Sequence, residues 1–160
     1  RALNTNGQVL NAFKVTESFC IEIEFEVLES GHKLDANIQA YTETGTHLFF
    51  TGDFQDSKWR NKERPIGVHY CLCHVPENYL NEGMLRITVA ITTYPHTVHA
   101  IEHEAITLKI VDDHDIDGAR GHYGFDWPST AVRPLMKWTY KYKTSGEKSE
   151  ASSQHNRMDS

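Results

Sequence analysis

Apolar and polar residues alternate along several short segments of the chain, most clearly in FCIEIEFEV at residues 19–27. Every odd-numbered residue of this segment is apolar, while Glu22, Glu24 and Glu26 occupy even-numbered positions. A period of two is typical of a β-strand that buries one face and leaves the other in water. Similar patterns predict strands at residues 36–41, 47–50, 67–75, 84–92 and 105–111, an opening strand at 9–13 and a closing strand at 133–142.

The segments between the predicted strands carry turn residues and polar residues. Residues 54–66 are predicted as a long polar loop, and TTYPHTVHAIEHEAI, which begins at Thr92, as a loop between two strands. Residues 77–83 are predicted as a single helical turn that ends at Gly83. Several short strands with turns between them are typical of a sandwich. The sequence therefore predicts an all-β fold, an immunoglobulin-like or jelly-roll antiparallel β-sandwich.

Length, hydropathy and charge narrow the class of protein. The chain has 160 residues and a mean hydropathy of -0.54, which suits one domain with a real core. No apolar run approaches the ~20 residues of a membrane span. A formal net charge of -6 argues against nucleic acid as a partner, because phosphate binding needs clustered Lys and Arg. We expect one domain over residues 1–142 and a disordered polar tail over residues 143–160. The first residue, Arg1, suggests a fragment or a processed form.

The cysteines indicate a reducing compartment. The chain has three cysteines, Cys20, Cys71 and Cys73, so they cannot all form disulfides with one another. The C-x-C motif of Cys71 and Cys73 has no second cysteine pair to complete a metal site. Free thiols on strands are the better interpretation, and they point to the cytoplasm.

Two patterns raise the question of a metal. Residues 113–118 spell D-x-D-x-D-G, the opening of an EF-hand loop, but the twelfth position is Gly124 and the flanks are not helices. His96, His99 and His103 would share a face only in a helix, which Pro95 disfavours. We therefore expect a solvated acidic turn, exposed histidines and no metal.

Catalytic motifs are not evident. The sequence has no G-x-S-x-G nucleophile motif and no Gly-rich phosphate loop. Carboxylates are plentiful, so an enzyme acting on glycans stays open as an alternative. We expect a non-catalytic domain without a cofactor.

Polar and aromatic residues on the outward faces of two predicted strands indicate a carbohydrate-binding surface. Aromatic rings pack on the C–H faces of sugars, and amides and guanidinium groups bond to hydroxyls or acidic substituents. Strands 36–41 and 84–92 are expected to share a sheet, and Arg60 and Arg86 would suit an anionic group. The candidate carbohydrate-binding residues are Asn37, Gln39, Tyr41, Trp59, Arg86, Thr88, Tyr94 and His96.

Two long segments resemble a known family. PIGVHYCLCHVPENYLNEGMLRITVAI is similar to its G-x-Y…C-x-I-P-x-x-L-x-x-G-x-Y-x-V signature, with His69 and Leu85 where aromatic residues are usual. HEAITLKIVDDHDIDGARGHYG…TAVRPLMKW resembles its closing segment, a strand ending in Asp, a variable loop, then V-R-P and a Trp. The family is the C-terminal carbohydrate-binding domain of the ATPase subunit of O-antigen polysaccharide ABC exporters, the Wzt type.

The resemblance implies a function and partners. Members bind the modified non-reducing terminus of a lipid-linked O-polysaccharide, in the cytoplasm at the inner face of the bacterial inner membrane. The ATPase domain lies upstream, and the full-length chain meets the membrane subunit of the ABC transporter. Members also form homodimers that exchange the C-terminal strand, for which the acidic loop would serve as a hydrated hinge. The alternative is a structural dimerisation domain without glycan contact.

Overall fold

The computed structural model describes residues 1–95 and 97–141, in which the regular elements are nearly all β-strands. One short 3-10 helix, Asp53–Gln55, follows the fifth strand. The strands are β1 (Ala2–Leu3), β2 (Ala12–Lys14), β3 (Phe19–Val27), β4 (Asp35–Thr42), β5 (His47–Gly52), β6 (Gly67–Val75), β7 (Gly83–Thr93) and β8 (Thr97–Val111).

The strands form two sheets, with the order β1-β3-β6 in one and β2-β8-β7-β4-β5 in the other. All pairings are antiparallel except that of β2 with β8. The inward residues of both sheets meet in one core, which includes Ile21 of β3, Ile38 of β4, Ile87 of β7 and Leu108 of β8. The predicted β-sandwich is confirmed, and its inward faces are those that the alternation indicated.

The predicted strands at residues 19–27 and 67–75 have the bounds observed for β3 and β6. The strands predicted at 36–41 and 84–92 are observed with one more residue at each end, and the strand predicted at 47–50 with two more at its C-terminal end. The alternation succeeds here because it follows directly from side chains pointing to opposite faces of a strand.

The predictions for three segments need correction. Residues 77–82 contain a non-helical turn and Gly83 begins β7. The opening strand is Ala12–Lys14, with Val9 in an isolated bridge to Leu3. Residues 133–141 belong to no strand, although neighbouring Val132 bridges Leu80. His96 and residues 142–160, which include the predicted tail, lie outside the described residues.

The predicted loop after Thr92 is instead the first half of a 15-residue strand, β8. Pro95 lies in the tight turn before β8, where it interrupts no ladder, and the β-branched residues that follow favour an extended backbone. The pairing of β7 with β8 shifts register between Ile87 and Val89, which leaves residues 103–105 as a bulge. Glu104, at φ 50°, lies in this bulge.

The segment after β8 is fastened to the sandwich by a buried ion cluster. Asp112 accepts hydrogen bonds from Arg120 (Nε, 3.0 Å) and Arg133 (Nη1, 2.8 Å; Nη2, 3.0 Å), and the ring of Trp127 lies 4.4 Å from the Arg133 guanidinium. A Cβ atom on Gly118 would lie 2.9 Å from the Thr16 side chain. The predicted hydrated hinge is therefore packed where Gly118 and Arg120 are buried.

Candidate ligand-binding cleft

The outward face of the five-stranded sheet carries a cleft of about 980 Å³. Its floor is set by strand pairing, because residues directly opposite one another in a ladder point to the same side. Asn37 and Gln39 of β4 lie opposite Ala90 and Thr88 of β7, and Asp35 lies opposite Thr92. The alternation that buries Ile38 and Ala40 thus aims the polar residues of β4 at the cleft.

Asn37 is a buried polar group at the centre of this floor. It is only 5% exposed, and its Nδ2 donates to Thr92 Oγ1 over 2.6 Å. Its Oδ1 has no hydrogen-bond partner among the described residues. A buried acceptor without a partner costs free energy, and this oxygen is enclosed beside Gly52 rather than open to the cleft.

The walls of the cleft are apolar. Phe50 lies opposite Gln39 on β5, and its ring stacks on that of Phe54 with centroids 5.9 Å apart. Val98 and Ile101 of β8 line the other side, at 57% and 45% exposure. Apolar side chains this exposed on one face indicate a binding surface.

Gly52 is needed for the Phe54 wall. A Cβ atom at this position would lie 2.3 Å from Cε1 of the Phe54 ring and 2.5 Å from Asn37 Oδ1. Real Cβ atoms do not approach other atoms so closely, so only glycine allows the ring to lie against the end of β5.

Two cations border one end of the cleft. Lys33 donates to Asn61 Oδ1 over 3.0 Å, and Arg60 makes only long bonds to backbone oxygens, of which the shortest is 3.4 Å to Phe54. Neither forms an ion pair with an acid in the described part of the chain. Nearby, burial raises the pKa of Asp35, as does the carboxylate of Asp53, while Arg64 opposes the shift.

The structure brings together some of the predicted site residues. Asn37, Gln39 and Tyr94 line the cleft. Tyr41 and Arg86 lie opposite each other on the same outward face, beyond the end of the cleft. Thr88 also faces outward but is 6% exposed, since its hydroxyl accepts a bond of 3.2 Å from the Glu104 backbone N–H.

Trp59 lies elsewhere. Its ring packs 4.3 Å from the guanidinium of Arg64, which is 2% exposed and donates to the Leu34 carbonyl oxygen over 3.0 Å and to Asp53. Trp59 lines a separate depression of about 390 Å³ between the edges of β5 and β6. Its aromatic ring therefore covers a buried ion pair rather than extending the sheet surface.

Four apolar lining residues were missed by the sequence analysis: Phe50, Phe54, Val98 and Ile101. Phe50 lies beside the cleft because β5 pairs with β4, which the sequence alone does not show. Val98 and Ile101 were missed because a loop was predicted where the first half of β8 is observed. Arg60 was predicted as an anion partner and does line the cleft. Arg86, the other predicted cation, is already paired with Glu104, with Nη1 and Oε1 2.6 Å apart.

The thiols are not activated for nucleophilic chemistry. Burial, together with the hydrogen bond to Asp53, raises the pKa of Cys71 to about 12. Cys20 lies 3.0 Å from His74 Nδ1, yet burial raises its pKa as well. A reactive cysteine needs a lowered pKa. Over residues 1–95 and 97–141, no group of three or more His, Cys, Asp or Glu side chains is placed to hold a metal ion.

The fold and the cleft define the class of protein: a two-sheet β-sandwich whose outward sheet face carries a cleft with apolar walls, an amide floor and a cationic rim. The model of one family, described as the Wzt C-terminal domain, matches residues 1–125. The chain belongs to this family, which is a non-ATPase domain of the O-antigen ABC exporter system. No curated protein matches the sequence.

A solved structure supports the fold. The crystal structure of the C-terminal domain of Wzt superposes with a TM-score of 0.66 at 14% identity, covering 88% of this chain and 80% of that one. The predicted family and sandwich are therefore confirmed. Helices long and apolar enough to cross a membrane do not occur in the part of the chain that the structure describes.

Proposed function

We propose that this chain is a non-catalytic carbohydrate-binding module that recognises the modified non-reducing terminus of a lipid-linked O-polysaccharide and selects it for export. The observation that carries this proposal is the cleft on the five-stranded sheet, which combines exposed aromatic walls with amide and hydroxyl groups. Membership in an O-antigen exporter family supplies the class of ligand.

The cleft chemistry fits a terminal sugar with a substituent. Phe50, Phe54 and Tyr94 offer rings for C–H faces, and Gln39 offers an amide to a hydroxyl. The rim cations would pair with an anionic substituent. Because apolar walls favour contact with carbon, a methyl substituent would also gain by burial.

The setting of this recognition is also a proposal. The module acts in the cytoplasm at the inner face of the bacterial inner membrane, as part of a longer subunit that meets the transporter's membrane subunit. Family membership in an ABC exporter system is what supports it.

We also propose a homodimer in which the C-terminal segment of one copy pairs with β6 of the other. Within the described residues β6 pairs only with β3, so its outer edge is open. Cys71 and Cys73 face the interior yet are only half-buried. Met136, Trp138 and Tyr140 alternate along a segment outside any strand and are 62%, 89% and 85% exposed. An open edge and a free alternating segment are complementary.

The test of function is calorimetric titration with the O-polysaccharide of the source strain, intact and stripped of its terminal residue. We expect binding to the intact chain only, and a loss of at least about tenfold in Phe54→Ala, because that ring forms a wall of the cleft. Phe125→Ala is the matched control, since Phe125 is 77% exposed on the segment after β8. Equal binding to both glycans would show that the module reads the repeat unit.

The second candidate is a structural dimerisation domain without glycan contact, favoured by the exposed segment 134–141. It predicts a stable dimer that binds neither form of the glycan. Binding of the intact glycan would exclude it.

A further inference from the structure

The cleft occupies only part of the outward sheet face. Its lining residues cluster where β4 begins and β7 ends, and the border there consists of Lys33, the loop carrying Arg60 and Asn61, and the β7–β8 turn at Pro95. None of its lining residues comes from the β4–β5 turn or from the first half of β7, where Arg86 lies. The cleft is thus bordered at one end and continues onto the open sheet face at the other.

A polar track continues from this open end. From Asp35 to Tyr41, β4 advances six residues, or roughly 20 Å, along a single outward face. Gln39 belongs to both parts, because it lines the cleft and its Oε1 accepts a hydrogen bond of 2.5 Å from the Tyr41 hydroxyl.

The track has its own platform and its own polar groups. The ring of Tyr41 is stacked on that of His47, with centroids 4.8 Å apart and planes 25° from parallel. Directly opposite, Arg86 is held by Glu104 at 2.6 Å and by the Thr42 carbonyl oxygen at 3.4 Å. Both members of this ion pair remain accessible, with side-chain exposures of 32% and 56%.

We propose that Tyr41, His47, Arg86 and Glu104 form a second subsite, which binds the sugars that precede the terminal residue of the glycan. The inference rests on the proposed function and adds the direction in which the glycan chain runs along the sheet. The terminal residue lies in the bordered cleft, and the chain leaves past Gln39 toward Tyr41. An aromatic platform beside paired donors and acceptors suits a neutral or weakly polar sugar with free hydroxyls. The Arg86–Glu104 pair cancels its own charge, so this subsite does not select an anionic group.

The test compares two ligands that share the native terminus of the source strain's O-polysaccharide, one the terminal residue alone and one extended by several of the sugars that precede it. Wild-type protein is expected to bind the longer ligand about fivefold to tenfold more tightly, the gain of one aromatic contact. Tyr41→Ala should remove this gain and leave the affinity for the short ligand unchanged, which also shows that the variant is folded. Tyr41→Phe keeps the ring and should keep the gain.

Different failures have different meanings. Equal wild-type affinity for both lengths, or a Tyr41→Ala variant that loses affinity equally for both, would overturn the second subsite while leaving the cleft intact. A Tyr41→Phe variant that behaves like Tyr41→Ala would also overturn it, since the platform would then not be the contact. If neither terminus-bearing ligand binds, the proposed function itself fails.

Discussion

Replacing Asp112 with Asn should destabilise the fold strongly, because within residues 1–95 and 97–141 this carboxylate is the only acid that pairs with the two buried arginines Arg120 and Arg133. Its side chain is 1% exposed, and those of Arg120 and Arg133 are 8% and 1% exposed. Asn keeps the shape but removes the negative charge. Removing one partner from a buried ion pair costs about 3–5 kcal/mol, a large part of the ~5–15 kcal/mol that stabilises a typical domain.

The effect of pH on this stability difference follows from the pKa of Asp112. The hydrogen bond from Arg133, followed by that from Arg120, holds the pKa of Asp112 well below its ordinary value, although burial opposes them. A carboxylate whose pKa is lowered by folding contributes stability above its unfolded pKa and loses it as pH falls. We therefore expect the difference between wild type and Asp112→Asn to be full at neutral pH and to shrink below about pH 4.

The assay is equilibrium urea unfolding, followed by tryptophan fluorescence, since Trp127 lies against Arg133. Asp126→Asn is the matched control, because Asp126 is an exposed acid in the same segment. A loss below about 1 kcal/mol in Asp112→Asn, or one equal to the control, would refute the reasoning, since it would mean that the arginines are satisfied without the carboxylate.

Three further predictions concern the cleft, the thiols and the C-terminal segment. Gly52→Ala should displace the Phe54 ring, weaken glycan binding in the calorimetric titration and cost about 1–3 kcal/mol of stability in urea unfolding. Gly124→Ala is the control and should change neither, because a Cβ there meets nothing within 4 Å. Cys71 should resist alkylation at pH 8 in the folded protein, where a pKa of about 12 leaves roughly one thiolate in ten thousand, and react after denaturation; rapid labelling of the native protein, seen by mass spectrometry, would contradict this. Truncation after residue 113 removes both arginines that bond to Asp112 and should give an aggregating product. Truncation after residue 142 should leave solubility and thermal unfolding unchanged. A soluble folded monomer from the shorter chain would count against the role of the ion cluster.

The local elements were accessible from the sequence. β3 and β6 were predicted to the residue, because the direction of a side chain in a strand is decided by position parity alone. The same parity predicted that Asn37, Gln39 and Tyr41 share an outward face. It also supported the sandwich, since one-sided strands must bury their apolar faces against a second sheet.

The composition of the cleft was decided by contacts between distant segments. Phe50 and Ile101 reach it through the pairings of β4 with β5 and of β7 with β8, and neither register is visible in one strand alone. The sequence placed Trp59 on the surface in a polar loop, but in the structure its ring packs against the buried guanidinium of Arg64. From the sequence Arg86 was predicted to be a free cation, but the bulge of β8 places Glu104 beside it and the two side chains form an ion pair.

Local periodicity and short motifs were thus enough to predict most of the strands, their inward and outward faces and the family. Which outward residues meet in a cleft, which cations of the described chain remain unpaired and where Trp59 lies depend on contacts between distant segments. The same division explains residues 133–141, whose alternation resembles a strand although their backbone bonds within the described chain are limited to those of Arg133 with Tyr79 and of Leu135 with Asn78. A strand is a property of two segments, since its hydrogen bonds need a partner.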